Sequence, residues 1–179
     1  MGKARPLPVV RLQHRRNRTP TGKRTGTLAR KAATYFAFGR KANQQRGDWL
    51  GPGGESHTHE SVMGWVDGQA RQHEQTFQAL LSVPQARLTG QDYARALEAA
   101  GQTADWRMVV HNDTAYSHAH VLFFRDRRLP RAEFEQWQVQ VQQALLTLEE
   151  KRLTEPELSL ADAAEQLDTV SFRYGPELG

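Results

Sequence analysis

The sequence has no cysteine among its 179 residues, so neither a disulfide framework nor a thiolate metal site is available to it. It also lacks any stretch approaching the roughly 18 apolar residues of a membrane-spanning helix. The basic N-terminus is not followed by an apolar h-region, so a secretory signal is not expected. These absences together predict a cytoplasmic protein with no membrane segment. Acidic residues are missing altogether from residues 1–47, which carry 13 Lys/Arg, whereas the remaining 11 bases share the rest of the chain with all 20 acids, a net −9. A basic arm on a mildly acidic body is the charge pattern of a polyanion-binding protein. No internal repeat is present.

Residues 13–26, QHRRNRTPTGKRTG, have no hydrophobic periodicity and are expected to be flexible without a ligand. LARKAATYFAFGR, residues 28–40, predicts a short helix carrying Tyr35, with Gly39 as its stop. A Gly-Pro-Gly-Gly loop occupies 46–59, and the spacing of Val62, Met63, Trp65, Val66 and Ala70 predicts a helix over 60–73. Residues 76–83 read as a core strand closed by Pro84. Residues 88–101 read as a helix with Thr89 as N-cap and Gly101 as its end. Two further strands, 105–111 and 118–124, are joined by a polar turn and are expected to be central in their sheet. Pro130 then opens a long helix that buries Phe134, Trp137, Val141, Leu145 and Leu148, and a short helix follows near 159–167. The fold class expected is α+β, a central, mostly antiparallel sheet with helices packed on it. The domain organisation expected is a basic flexible arm (1–27), a main domain (28–153), and a C-terminal helix and tail (154–179).

The chemistry concentrates in HNDTAYSHAHVLFF, residues 111–124. Strand alternation puts His118 and His120 on one face, and a hairpin closed near 112–117 brings His111 beside them. Three neutral imidazoles with positions left open for water or substrate oxygen describe a catalytic metal site. Asp113 is placed to take the outer ring N–H of a ligand and fix its tautomer. Imidazole donors alone favour Zn²⁺, Ni²⁺ or Cu²⁺. His14, His57, His59 and His73 read as structural or solvent-exposed, and Tyr93 as a core residue on a helix face.

The pattern His-x-Asp-x-x-x-x-His-x-His before an apolar strand, formed by His111, Asp113, His118 and His120, resembles the three-histidine motif of HUH relaxases. These are mobilisation nucleases that nick plasmid DNA at the transfer origin. KAATYFAFGRK puts Tyr35 where that family carries its catalytic tyrosine, and TFQALLSVPQARLTGQDYARAL matches the strand and Leu-Thr-helix segment that follow. The similarity extends over residues 28–125. Family members often carry proline before the second histidine and asparagine shortly after the third, where this chain has Ser117 and the run Leu122-Phe123-Phe124-Arg125.

The resemblance implies a relaxase-like palm and transesterification through a 5′-phosphotyrosine. Tyr35 would be the nucleophile, Asp113 a base or orienting group, and His111, His118 and His120 the ligands of Mn²⁺ or Mg²⁺. It implies single-stranded DNA at a transfer-origin-like site as substrate, with an accessory relaxosome protein as a further partner. Arg15, Arg16, Arg18, Lys23 and Arg24 of the arm, with Arg40, Lys41 and Arg46 near the tyrosine, are the expected DNA contacts, and Trp49 is a candidate for base stacking. Tyr116, inside the histidine turn, is the competing nucleophile. Two alternatives share this fold: an HUH replication initiator or transposase, which carries its tyrosine after the histidines, and a DNA-binding accessory protein that does not cut. A histidine-triad nucleotide hydrolase needs a further histidine on the strand, where position 122 is leucine.

Overall fold

The computed structural model describes residues 5–40 and 44–155. Lys41, the short helix expected near 159–167 and most of the 154–179 tail lie outside the described residues. The elements in chain order are β1 (Val9–Arg16), α1 (Thr27–Phe38), β2 (Trp49–Leu50), β3 (Ser56–His57), α2 (His59–Gln72), β4 (Gln75–Val83), α3 (Gly90–Ala99), β5 (Trp106–His111), β6 (Ser117–Arg125) and α4 (Arg131–Thr154). The strands form one sheet in the order β1-β4-β6-β5-β2-β3, every neighbouring pair antiparallel. The α+β class and the central position of β5 and β6 are as the sequence predicts. No described helix is long and apolar enough to cross a membrane.

Period-two alternation divides the sheet into two faces. Phe77, Ala79 and Leu81 of β4, Met108 of β5 and Val121 and Phe123 of β6 pack against Tyr93, Leu97, Trp137, Val141 and Leu145 from α3 and α4. On the opposite face Val109, Leu122, Phe124 and Trp49 pack against Ala29, Ala33, Phe36 and Ala37 of α1 and Val62, Val66 and Ala70 of α2. This second cluster takes no residue from β1 or β4; on the histidine face Thr76 of β4 is buried and Gln78, Leu80 and Ser82 are half-buried, while Arg11, Gln13 and Arg15 of β1 are exposed.

Local signals set several boundaries. Thr89 and Asp92 form a capping box at the start of α3, each side chain accepting from the other's backbone N–H at 3.3 and 2.9 Å. Arg152 of α4 then grips the same Asp92 with Nε and Nη2, at 3.1 and 3.2 Å. One buried position on α4 breaks the apolar pattern. Glu149 is fully buried, and its Oε1 accepts from the backbone N–H groups of Gln85 and Ala86 at 2.6 and 3.1 Å. It thereby satisfies donors of the turn that follows β4, while Arg5 stands 3.5 Å from its other oxygen.

Two expectations need correction. Part of the segment expected to be flexible lies in the edge strand β1, paired with β4 from Val9↔Ser82 to Arg16↔Gln75, and an Arg18↔Arg24 bridge extends the turn beyond it. Only Val10 is buried along β1, so local apolar periodicity is absent. The strand is held instead by its ladder and by Gln138 and Gln142 of α4, whose side-chain amides donate to the carbonyls of Val10 and Pro8 at 2.8 and 2.7 Å. Trp49, expected to offer its ring to a base, is fully buried in β2 opposite Val109, and its indole N–H donates to His59 Nδ1 at 3.2 Å. It belongs to the core.

Candidate metal centre

The two central strands bring the histidines together by register. His111 of β5 lies directly opposite His118 of β6, and His120 faces Val109 one row further along the same face. The three ring centroids are 5.0, 5.3 and 5.3 Å apart, and one ring nitrogen from each lies within 4.8 Å of the others. The three side chains can therefore hold a metal ion, as the sequence predicts.

Hydrogen bonds fix which nitrogens face inward. His111 Nε2 lies 2.9 Å from the carbonyl oxygen of Phe36. A carbonyl can only accept, so the ring proton sits on Nε2 and Nδ1 presents a lone pair. That carbonyl is in the last turn of α1, among the helix-end oxygens without an intrahelical partner. His118 Nδ1 lies 3.3 Å from the carbonyl oxygen of Tyr116, a second outward acceptor for a ring proton. The inner atoms, His111 Nδ1 and His118 Nε2, face each other 3.2 Å apart, so His118 can send its proton either to the Tyr116 carbonyl or to His111 Nδ1. With the proton on His118 Nδ1, both inner nitrogens present lone pairs that a cation between them would take. Tetrahedral zinc, with bonds of about 2.05 Å, spaces its nitrogen ligands by about 3.3 Å, so the pair is set at a coordination distance.

The surroundings disfavour the charged form of His111 and His120. Burial, then Arg46 and His118, lowers the pKa of His111 from its ordinary 6.5. Burial, reinforced by the two other histidines and Arg46, pushes His120 down to about 3. The His120 ring stacks on Phe36 with centroids 4.4 Å apart, which sets its plane by packing.

Asp113 does not orient a histidine. Its carboxylate is held by Arg46 in a bidentate pair, Nε to Oδ2 at 2.9 Å and Nη2 to Oδ1 at 3.0 Å. The guanidinium hydrogen bond holds the Asp113 carboxyl below its ordinary range. The orienting role expected of Asp113 falls to the carbonyls of Phe36 and Tyr116, because the outer ring nitrogens of His111 and His118 face them. Arg46 is tied to α1 through its backbone N–H, which donates to Ala37 at 2.7 Å. The guanidinium lies over Gly39, where an added Cβ would stand 3.0 Å from Nη1. Gly39 has φ 67° and ψ −150°, a region nearly closed to other residues at a cost of about 1–3 kcal/mol. Gly39→Ala is therefore expected to lower stability by about 1–3 kcal/mol in urea titration.

Tyr35 stands on the last turn of α1 with its ring edge-on to His120, 6.4 Å between centroids, and is half-exposed. Tyr116 is also exposed, at 57%. Its carbonyl, not its ring, is what the turn directs at His118. The arm arginines are divided in their contacts. Arg16, Arg18 and Arg24 converge on Glu74 at 3.7, 2.8 and 3.2 Å, whereas Arg15, Lys23 and Arg40 are exposed and form no ion pair among the described residues. His14, His57, His59 and His73 lie outside the triad, His73 against Asp126 at 3.0 Å. No family model matches this chain, and no curated protein or solved structure matches it either.

Proposed function

We propose that the protein is a relaxase-like nuclease that nicks single-stranded DNA at a transfer-origin-like site through a covalent tyrosine intermediate, with a divalent metal, Mn²⁺ or Mg²⁺, at His111, His118 and His120. The observation that carries this reading is the half-exposed Tyr35 hydroxyl-bearing ring set edge-on to His120 at the rim of three inward-facing imidazoles. A metal in that triad supplies Lewis-acid polarisation of a phosphodiester oxygen. Tyr35 Oη attacks phosphorus and loses its proton, and a P–Oη bond replaces the bond to O3′. The 3′ oxygen leaves with the electron pair and takes up a proton, giving a free 3′-OH and a 5′-phosphotyrosine. Arg46, held by Asp113 through Nε and Nη2, would offer guanidinium N–H groups to the phosphoryl oxygens. Asp113 is then a positioning residue.

The test uses purified protein and a mixed pool of 3′-labelled single-stranded oligonucleotides, since a 5′-phosphotyrosine keeps the 3′ fragment on the protein. A slow-migrating covalent band on a denaturing gel is expected with Mn²⁺ or Mg²⁺, and its loss with EDTA or in His120→Ala. No such band with any divalent metal, while DNA is still retained in a mobility-shift assay, would leave a non-cutting DNA-binding protein as the better account.

A further inference from the structure

Two shallow surface grooves share Tyr35 in their lining. One is floored by Leu80 and Phe36 and rimmed by Arg11, Gln13 and Gln78, with His120 at its inner end. The other crosses the outer surface of α1 past Arg30, Lys31 and Thr34. The first groove runs between the end of α1, at Tyr35 and Phe36, and the strands β4 and β1. The register fixes what lines it. Arg11 lies opposite Leu80, which lies opposite His120. All three point to the same face, and two strand spacings of about 4.8 Å separate the backbone of Arg11 from that of His120.

On the histidine face the strands β1, β4, β5 and β6 carry Arg11, Arg15 and Arg107 and no aspartate or glutamate, and the second groove adds Arg30 and Lys31. Arg107 is drawn to Asp105 and Arg30 to Asp67, but Arg11, Arg15 and Lys31 make no ion pair among the described residues. Unneutralised cations on an edge strand also protect it from pairing with another chain, which would explain both Arg11 and Arg15, although Arg11 differs in lining the groove that holds His120. It does not explain Lys31, which lies on a helix beyond Tyr35 and lines the second groove. An apolar floor with a cationic rim matches a single strand, whose phosphates and base faces are both free, better than a duplex, whose base faces are stacked away.

Building on the nuclease reading, we infer that single-stranded DNA lies along both grooves, with Arg11 binding a phosphate on one side of the bond facing Tyr35 and Lys31 binding one on the other. Each contact neutralises one phosphate and contributes about 0.7 to the slope of log affinity against log salt. Losing one then weakens binding about five-fold at about 0.1 M salt, taking about 1 M as the point where the contribution vanishes.

The experiment is fluorescence anisotropy of a labelled mixed-sequence single strand, titrated with full-length protein in EDTA at several salt concentrations. Arg11→Ala and Lys31→Ala are each expected to lose about five-fold in affinity and about 0.7 in slope, with Arg11→Lys restoring both. Arg131→Ala, on the exposed start of α4 across the sheet, is expected to bind as wild type. Wild-type binding in both alanine variants would overturn the track and leave the nuclease reading standing. If the wild-type protein shows no salt-dependent binding of a single strand, both fall together.

Discussion

Tyr35→Phe is expected to abolish the covalent protein–DNA band, a fall of at least about 10³-fold, while Tyr116→Phe leaves it at the wild-type level. The substitution removes one oxygen and keeps the ring, so the contacts of Tyr35 with Phe36 and His120 at 6.5 and 6.4 Å survive. Stability should therefore stay within about 0.5 kcal/mol, as for surface changes that leave the packing alone. Loss of the band then reports the nucleophile and not the fold. Tyr116 sits in the turn between the ligand strands, yet its connection to the centre is through the backbone. Its carbonyl faces His118 and accepts from Thr114 Oγ1 at 2.8 Å, and the substitution leaves that carbonyl in place. A band lost in Tyr116→Phe and kept in Tyr35→Phe would move the nucleophile to the turn and undo the assignment.

His111→Ala is expected to lower divalent-metal affinity by more than about 100-fold in isothermal titration. Disturbing a partner behind a ligand already costs about 10–100-fold, and here the ligand itself is gone. The same centre predicts an acid sensitivity in metal-free protein. His120 titrates at about 3 when folded against an ordinary 6.5. Between those values the unfolded chain holds a proton that the folded chain does not. The stability contribution is thus fully present above about pH 6.5 and is lost progressively as pH falls toward 3. Urea midpoints of His120→Gln measured across that window should fall less steeply than those of wild type. Equal slopes would mean that burial does not depress His120.

The histidine pairing was legible because it is local. His111 and His118 are joined by a short turn, and strand alternation dictates the face of each ligand. The start of α3 was legible for the same reason, since Thr89 and Asp92 cap each other across three residues. What escaped the sequence depends on partners far along the chain. Arg46 and Asp113 are 67 residues apart, so no local pattern announces that the aspartate serves a guanidinium. Trp49 looks like a loop residue until β2 pairs with β5. Phe36 leaves no signal in the sequence, because its part is carried partly by a backbone carbonyl, which every residue possesses. Strand β1 itself is not announced, because an edge strand with one apolar side chain buried looks, in sequence, like an unstructured basic arm.

Helix α1 carries several duties on one rigid rod. Its final turns supply Tyr35, the Phe36 carbonyl that sets His111, the Phe36 ring that sets His120, and the Ala37 carbonyl that anchors Arg46. Ala29, Ala33 and Ala37 of the helix are buried in the cluster it forms with α2 and the sheet. The proposed nucleophile, the orientation of the histidines and the Arg46 guanidinium are therefore all tied to one helix. A larger side chain at the buried Ala33 would disturb them together. Such a site resists piecemeal adjustment, so a lineage retuning one component would have to move the rod as a whole.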